Sequence, residues 1–428
     1  MEDRAVAGRL KRDFASFVAA ATISNFGSML TAIALPLFAI QWLDASPAQI
    51  AALNAAGILP GVLLGLFAAH AVDRLRRRPV LIAADLSRAV LLLALPAAAF
   101  AGVLTMSQVV AFAFARGLFD FAFAVAEHAY LPSLVPEAEL VRANSRLQAG
   151  DSSAEAVGFA AGGWLVQWLS APLALCVDAA SYLASALLLL GIGAAEPAPA
   201  AAKPRSQRAG ELLAGFRAIA RSPALRAIAG ANLLVMLAAQ ATGAVYMLFV
   251  YRELGFQPGV LGLLFALGAL SSLASSFLAE RVPRRWAEGP ALPAGLALYA
   301  LGPALLALAP GPTPFGVAAI AAQQLVGDGG YVLFEIHQRS LRQRLVPREL
   351  LGRVSGAIRL ANSLAMLAGA ALGGWLGGAL GLRATLVAGA ACTALAAGAA
   401  LFVRGEETRR ASSAGEGGAR APSDSLRV

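Results

Sequence analysis

The stretch Ala69-His70-Ala71-Val72-Asp73-Arg74-Leu75-Arg76-Arg77-Arg78-Pro79 decides how the rest of the chain is read. One acid and four arginines fall within the residues 73–78. An uncharged run, 45–69, precedes them, and a second run, Pro79 to Gly102, reads as apolar by its overall composition. Such a concentration of charge cannot lie in lipid, so it reads as a tight loop at a membrane surface between two spans. Asp73 sits where one helix must end and another begin. A carboxylate there can accept hydrogen bonds from the unpaired N–H groups of a neighbouring helix N-terminus.

The composition agrees. Of 428 residues, 58% are hydrophobic and 14% charged, against about 45–50% and about 25% in soluble domains. The net charge of +9 would suggest nucleic acid in a soluble protein, but here the cations fall in loops, and no nucleic-acid partner is expected. Cys176 and Cys392 lie inside apolar runs, and no cysteine or histidine cluster suggests a metal or other cofactor. Met1 to Asp13 is charged and lacks the short apolar core of a removable signal.

A spanning helix needs about 20 mostly apolar residues. Twelve such runs are expected: Phe14–Trp42, Pro47–Val72, Pro79–Gly102, Ser107–Leu131, Leu140–Leu169, Ala171–Ile192, Ala227–Tyr251, Pro258–Ala279, Pro290–Ala309, Thr313–Gln338, Leu350–Gly378 and Leu382–Val403. Arginines cluster in alternate loops, which puts both termini in the cytoplasm by the positive-inside rule. The expected organisation is a cytoplasmic N-terminus (1–13), a first six-helix bundle (14–192), a cytoplasmic linker (193–226), a second bundle (227–403) and a disordered tail (404–428). Within the linker, Glu211 to Ala220 has the pattern of an amphipathic helix lying on the inner leaflet.

An internal repeat is the strongest structural signal. Leu134-Val135-Pro136 recurs as Leu345-Val346-Pro347, and Gly162-Gly163-Trp164-Leu165 as Gly373-Gly374-Trp375-Leu376, both at an offset of 211. Arg142 maps onto Arg353, Gly158 onto Gly369 and Pro79 onto Pro290. The offset carries the fifth span onto the eleventh in the same orientation, so the repeat is a parallel one of two six-helix halves. Gly158, Gly162, Gly163, Gly369, Gly373 and Gly374 are expected to let helices approach closely.

Charged groups inside spans are costly and point to partners or a water-filled cavity. Arg116 falls near the midplane of the fourth span and Asp120 one turn inward, and Glu127 shares their face nearer its inner end. Asp151 falls near the midplane of the fifth, with Glu155 one turn further out. An Arg116–Asp151 or Arg116–Asp120 pair is possible. Arg116, Asp120, Asp151 and Asp328 are the expected proton-coupling residues, as a carboxylate released from its arginine takes up a proton more readily. Asn25, Gln240, Arg359 and Asn362 are expected to line a central substrate cavity. His70, His128 and His337 sit near inner helix ends. The spans hold no nucleophile–base pair, so an enzyme is not expected.

The 69–79 stretch resembles the signature loop between helices 2 and 3 of major facilitator transporters. Asp73, Arg74, Arg77 and Arg78 match; Ala69 and Arg76 stand where that family usually has glycine. Gly158-Phe159-Ala160-Ala161-Gly162-Gly163 resembles an antiporter motif, with Phe159 in place of its proline. Ala129 through Asn144, with Pro132, Pro136, Leu140 and Ala143, is similar to the macrolide and enterobactin exporter branch, and Arg116 to the helix 4 arginine of drug–proton antiporters. The resemblance implies an all-α integral membrane fold of twelve helices in two pseudo-symmetric bundles. It implies a proton-coupled exporter of amphipathic small molecules in a bacterial inner membrane, monomeric in its lipid bilayer. Asp73, Arg74, Arg77 and Arg78 would then form a conformational latch, with Asp73 capping the helix that starts near Leu350. An uptake or lipid-flipping permease, or a membrane sensor without transport, are the alternatives.

Overall fold

The computed structural model describes residues 2–67, 75–194, 196, 205–279, 281–282 and 290–417, with side chains over 10–65, 75–194, 196, 210–279, 281–282 and 290–402. The first half holds α1 (Glu2–Leu43), α2 (Pro47–Phe67), α3 (Arg77–Phe100), α4 (Met106–Tyr130), α5 (Leu140–Leu169) and α6 (Ala171–Leu190). A linker helix, α7 (Arg205–Arg221), follows. The second half holds α8 (Pro223–Leu248), α9 (Pro258–Ala279), α10 (Ala291–Leu308), α11 (Pro314–Leu345), α12 (Arg348–Ala379) and α13 (Leu382–Gly417). In lipid a backbone must satisfy its own polar groups, which is why these apolar runs are helices.

Local sequence sets the helix ends. Thr105 and Gln108 form a reciprocal capping box that starts α4. Ser222 accepts from the Leu225 N–H, with Pro223 at the first helical position, so α8 begins ahead of the expected Ala227. The charged 2–13 segment is rich in helix formers and extends α1 beyond its expected start at Phe14. α13 likewise runs past Val403 to Gly417. A π-helical turn, Gln323–Asp328, interrupts α11.

By length and composition, 11 of the helices can cross a membrane. The remaining one of the twelve expected spans is α5, whose 30 residues include Arg142, Arg146, Asp151 and Glu155. It is nonetheless central, packing against α1 in its own half and α9 in the other. α12 does the same for the second half, packing against α8 and α2. α7 contains the expected amphipathic segment, and one edge of its apolar face is covered by protein, where Ile219 packs with Val354, Ala357 and Ile358 of α12, while Leu213 and Phe216 stay exposed. The carbonyl of Arg353 passes so close to Gly215 that a Cβ there would lie 2.3 Å from it.

The duplicated glycines mark duplicated contacts. A Cβ on Gly158 would lie 2.8 Å from the Phe26 carbonyl oxygen, and one on Gly369 would lie 2.3 Å from that of Leu237. Gly162 packs on Leu30, and Gly373 on Ala241. Across the halves, Gly163 meets Pro258 and Gly262, while Gly374 meets Pro47, Ala48 and Ala51. Phe26 and Leu237, Leu30 and Ala241, Pro47 and Pro258, and Ala51 and Gly262 are each 211 apart in sequence. The two halves repeat these glycine contacts at equivalent positions, and each lends its own copy of one seam.

Both seams lie toward the end away from the arginine-rich loops. There the side chains of Arg252 and Asp44 pair at 2.6 Å, Gln41 donates to Tyr251 at 3.0 Å, and the Gly259 N–H donates to Gln167 at 2.9 Å. At the arginine-rich end an opening of about 460 Å³ separates Val62, Gly65 and Phe121 from Gly356 and Arg359.

Candidate functional site

The first bundle encloses a cluster of charged side chains drawn from α1, α3, α4 and α6. Arg88 Nη2 lies 2.5 Å from Asp85 Oδ1, and its Nη1 lies 3.1 Å from Asp120 Oδ1. Its guanidinium is held between the rings of Phe123 and Tyr182, at 4.4 and 4.3 Å from their centroids, a favourable cation–π geometry. Arg116 Nε reaches Asp120 Oδ2 at 3.4 Å. Asp85 also accepts from Ser24 at 3.2 Å and Ser185 at 2.6 Å. Asp178 accepts from Thr31 and from Ser181. Buried charge of this kind persists only when paired and hydrogen-bonded. Asp85, Asp120 and Asp178 stand around Arg88 and Arg116, and Glu127 and Asp151 line the same cavity as the two arginines, so carboxylates outnumber guanidiniums.

Of the two pairs the sequence allows, the structure forms Arg116–Asp120. Asp151 takes a different partner, accepting from Asn25 Nδ2 at 3.3 Å. Asn25, Arg116, Asp120, Glu127 and Asp151 all face one cavity of about 450 Å³. Asp85, Arg88, Asp178 and Tyr182 are the functional candidates that sequence reasoning missed. The signal was present: Asp85 and Arg88 sit at i and i+3 in the middle of a span, and Asp178 in the middle of another.

A second cavity, of about 670 Å³, lies between the bundles. Gln240, Asp328 and Glu155 are in its wall. Ala32 lines both cavities. Arg359 is a correction: it lines the opening at the arginine-rich end instead. Asn362, on the same helix, buries its side-chain oxygen without a partner and does not join Gln240 and Asp328. α12 lies along α2 and α8, so its polar residues meet that opening and the helix interface.

The second bundle has no copy of the charged cluster. At the offset of 211, Asp85, Arg88, Arg116, Asp120 and Asp178 become Leu296, Tyr299, Gly327, Tyr331 and Gly389. Where the first bundle has the Arg88–Asp120 ion pair, the second stacks Tyr299 on Tyr331, with centroids 5.3 Å apart. Thr242, the counterpart of Thr31, has a buried hydroxyl without a partner. A Cβ on Gly389 would lie 2.3 Å from that hydroxyl. The missing carboxylate accounts for the orphaned hydroxyl.

Of the expected latch residues, Asp73 and Arg74, and with them the proposed cap on α12, lie outside the described residues. Arg77 and Arg78 fasten α3 to the segment after α6. Their backbone N–H groups donate to the Glu196 carboxylate, the second at 3.3 Å, which caps the α3 N-terminus. The Arg78 guanidinium donates to the carbonyls of Leu189 and Leu190 at 2.9 and 2.7 Å, capping the end of α6. His128 and His337 each bond a carbonyl one turn back in their own helices.

Known proteins share this architecture. The chain is 26% identical over 382 residues to the uncharacterized MFS-type transporter YfiS of Bacillus subtilis (strain 168), covering 86% of this chain and 88% of that one. It is 26% identical over 367 residues to the uncharacterized MFS-type transporter y4rN of Sinorhizobium fredii (strain NBRC 101917 / NGR234), covering 84% and 87%. Among solved structures, a bacterial homologue of the iron transporter ferroportin in an inward-facing state superimposes with a TM-score of 0.74 at 16% identity, over 92% of this chain and 98% of that one. The nucleoside transporter NupG does so at 0.68 and 15%, over 92% and 98%. The model of the Major Facilitator Superfamily matches residues 17–370. With two six-helix halves closed at one end around a central cavity, and that match over most of its length, the chain is a membrane transporter belonging to the Major Facilitator Superfamily.

Proposed function

We propose that this transporter is a proton-driven exporter of amphipathic small molecules, working by alternating access in a bacterial inner membrane with both termini in the cytoplasm. One observation carries the reading: inside the first bundle carboxylates outnumber the two arginines, Arg88 and Arg116, and Asp120 and Arg116 open onto a cavity that meets the substrate space at Ala32. A surplus buried carboxylate is most cheaply neutralised by a proton. Release of Asp120 from Arg88 and Arg116, which it bridges, would change which carboxylate carries it. The arginine-rich end is then cytoplasmic and open, and the glycine seams close the outer end. The 129–144 stretch favours the macrolide and siderophore exporter branch over an uptake permease. The Asp73 latch would hold the cytoplasmic end closed in the opposite state.

The test is substrate-driven proton flux in proteoliposomes, with Asp120→Asn and Asp151→Asn beside the parent. Flux that collapses in either variant supports the assignment; unchanged flux in both overturns it. Export that ignores an imposed pH gradient overturns proton coupling altogether.

A further inference from the structure

The two bundles treat their acids differently. In the first, Asp85 and Asp120 are matched to arginines of the protein itself, and Asp178 to hydroxyl donors. In the second, Asp328 has no such match. The place that Arg116 fills in the first half is Gly327, and that of Arg88 is Tyr299. Across the central cavity from Asp328 stands Glu155 of the other half. Neither carboxylate has a hydrogen bond or ion pair among the described residues, and none of the lining residues is cationic.

The wall around Asp328 is also unfinished. Gln324, one helical turn away, is 6% exposed and has no hydrogen-bond partner among the described residues. Its amide and the Asp328 carboxylate converge on Gly268: a Cβ there would lie 2.6 Å from Gln324 Nε2 and 2.5 Å from Asp328 Oδ2. Both belong to the π-helical turn of α11, a feature often found at functional sites. Beside them Phe159, Phe265 and Tyr246 form a continuous aromatic wall, with neighbouring centroids 5.9 and 5.4 Å apart.

From this arrangement we infer that the substrate is a lipophilic organic cation, its positive centre between Glu155 and Asp328 and its apolar body on the Phe159–Phe265–Tyr246 wall. The inference rests on the reading of the central cavity as the substrate site of a transporter. The missing arginines of the second half are replaced by the charge of the cargo. A half-buried carboxylate pair supplied from opposite halves is stabilised when a cation bridges it. Aromatic faces add attraction for an organic cation and supply nothing to a divalent metal, which takes about six or more oxygen ligands in the case of calcium or magnesium.

The test is binding to purified protein in detergent, with no gradient and no flux, so that failure here leaves alternating access and proton coupling standing. Tetraphenylphosphonium is the probe, tetraphenylborate its anionic isostere, and manganese(II) the metal control. Tetraphenylphosphonium is expected to bind in preference to tetraphenylborate, about tenfold more weakly in Glu155→Gln or Asp328→Asn, and not measurably in the double variant. Replacing both acids by lysine is expected to reverse the preference toward tetraphenylborate, a gain that a misfolded protein cannot show. Equal binding of the two isosteres, unchanged affinity in the neutralised variants, or binding of manganese(II) alone through the two acids would each overturn the assignment.

Discussion

Asp44, just past the end of α1, and Arg252, in the helical turn that follows α8, form a 2.6 Å ion pair between the two halves at the end remote from the arginine-rich loops. The Asp44 side chain is 93% exposed and that of Arg252 38%, so this is a surface pair that contributes at most about 1 kcal/mol. Asp44→Asn is therefore expected to raise the population parted at that end by up to about fivefold. Distance distributions between spin labels at Gln49 and Gln257 read this out. An unchanged distribution would mean that the glycine seams alone hold the end shut.

Those seams have no slack. A side chain at Gly163 meets the Pro258 carbonyl at 2.3 Å, and one at Gly374 meets the Ala51 methyl at 2.4 Å. Gly163→Val and Gly374→Val are each expected to cost about 1–3 kcal/mol by overpacking. Gly230→Ala, where a Cβ meets nothing within 4 Å, is expected to be neutral or to stabilise by up to about 1 kcal/mol. Thermal unfolding of the three variants in detergent checks the order.

Thr31 and Thr242 are equivalent in the repeat and opposite in outcome. Thr31→Val strips a donor from the buried Asp178 and is expected to cost about 1–3 kcal/mol. Thr242→Val removes a hydroxyl that already lacks a partner and is expected to be neutral or stabilising. If the two unfold at equally lowered temperatures, the asymmetry between the bundles is not energetic.

Arg88 holds Asp85 and Asp120 together. Arg88→Met leaves both carboxylates without their shared cation, a loss of about 3–5 kcal/mol. Adding Asp85→Leu to that variant, which leaves Asp120 paired with Arg116, is expected to restore most of the folded yield, measured by size-exclusion recovery after mild heating. No rescue would place the role of Arg88 in its contacts with Phe123 and Tyr182.

The fold was legible because its signals are redundant. Apolar runs gave the spans, and the glycine pairs gave the repeat without any knowledge of what the glycines touch. α5 was read as a span from its apolar residues and maps onto α12 in that repeat, although Arg142, Arg146, Asp151 and Glu155 make it the most charged of the first six expected spans. The site was less legible. Arg116 and Asp120, one turn apart on a single helix, declared their pairing. Asp85 and Arg88 did not, because the average composition of the 79–102 run conceals two charges satisfied by residues on other helices. Asp151 found Asn25 rather than Arg116 because Asp120 already occupies that arginine. Arg359 and Asn362 were misplaced for a related reason: depth along a helix follows from residue count, but rotation about its axis depends on the neighbours.

The reciprocal seams have a consequence for how the molecule is assembled. Each half offers the other one ridge and one groove, and the two offers are interchangeable. The order in which the halves follow one another along the polypeptide is thus a matter of wiring. A rearranged gene encoding 205–402 ahead of 10–194, with a tether long enough to join them, is expected to yield the same pair of interlocking faces.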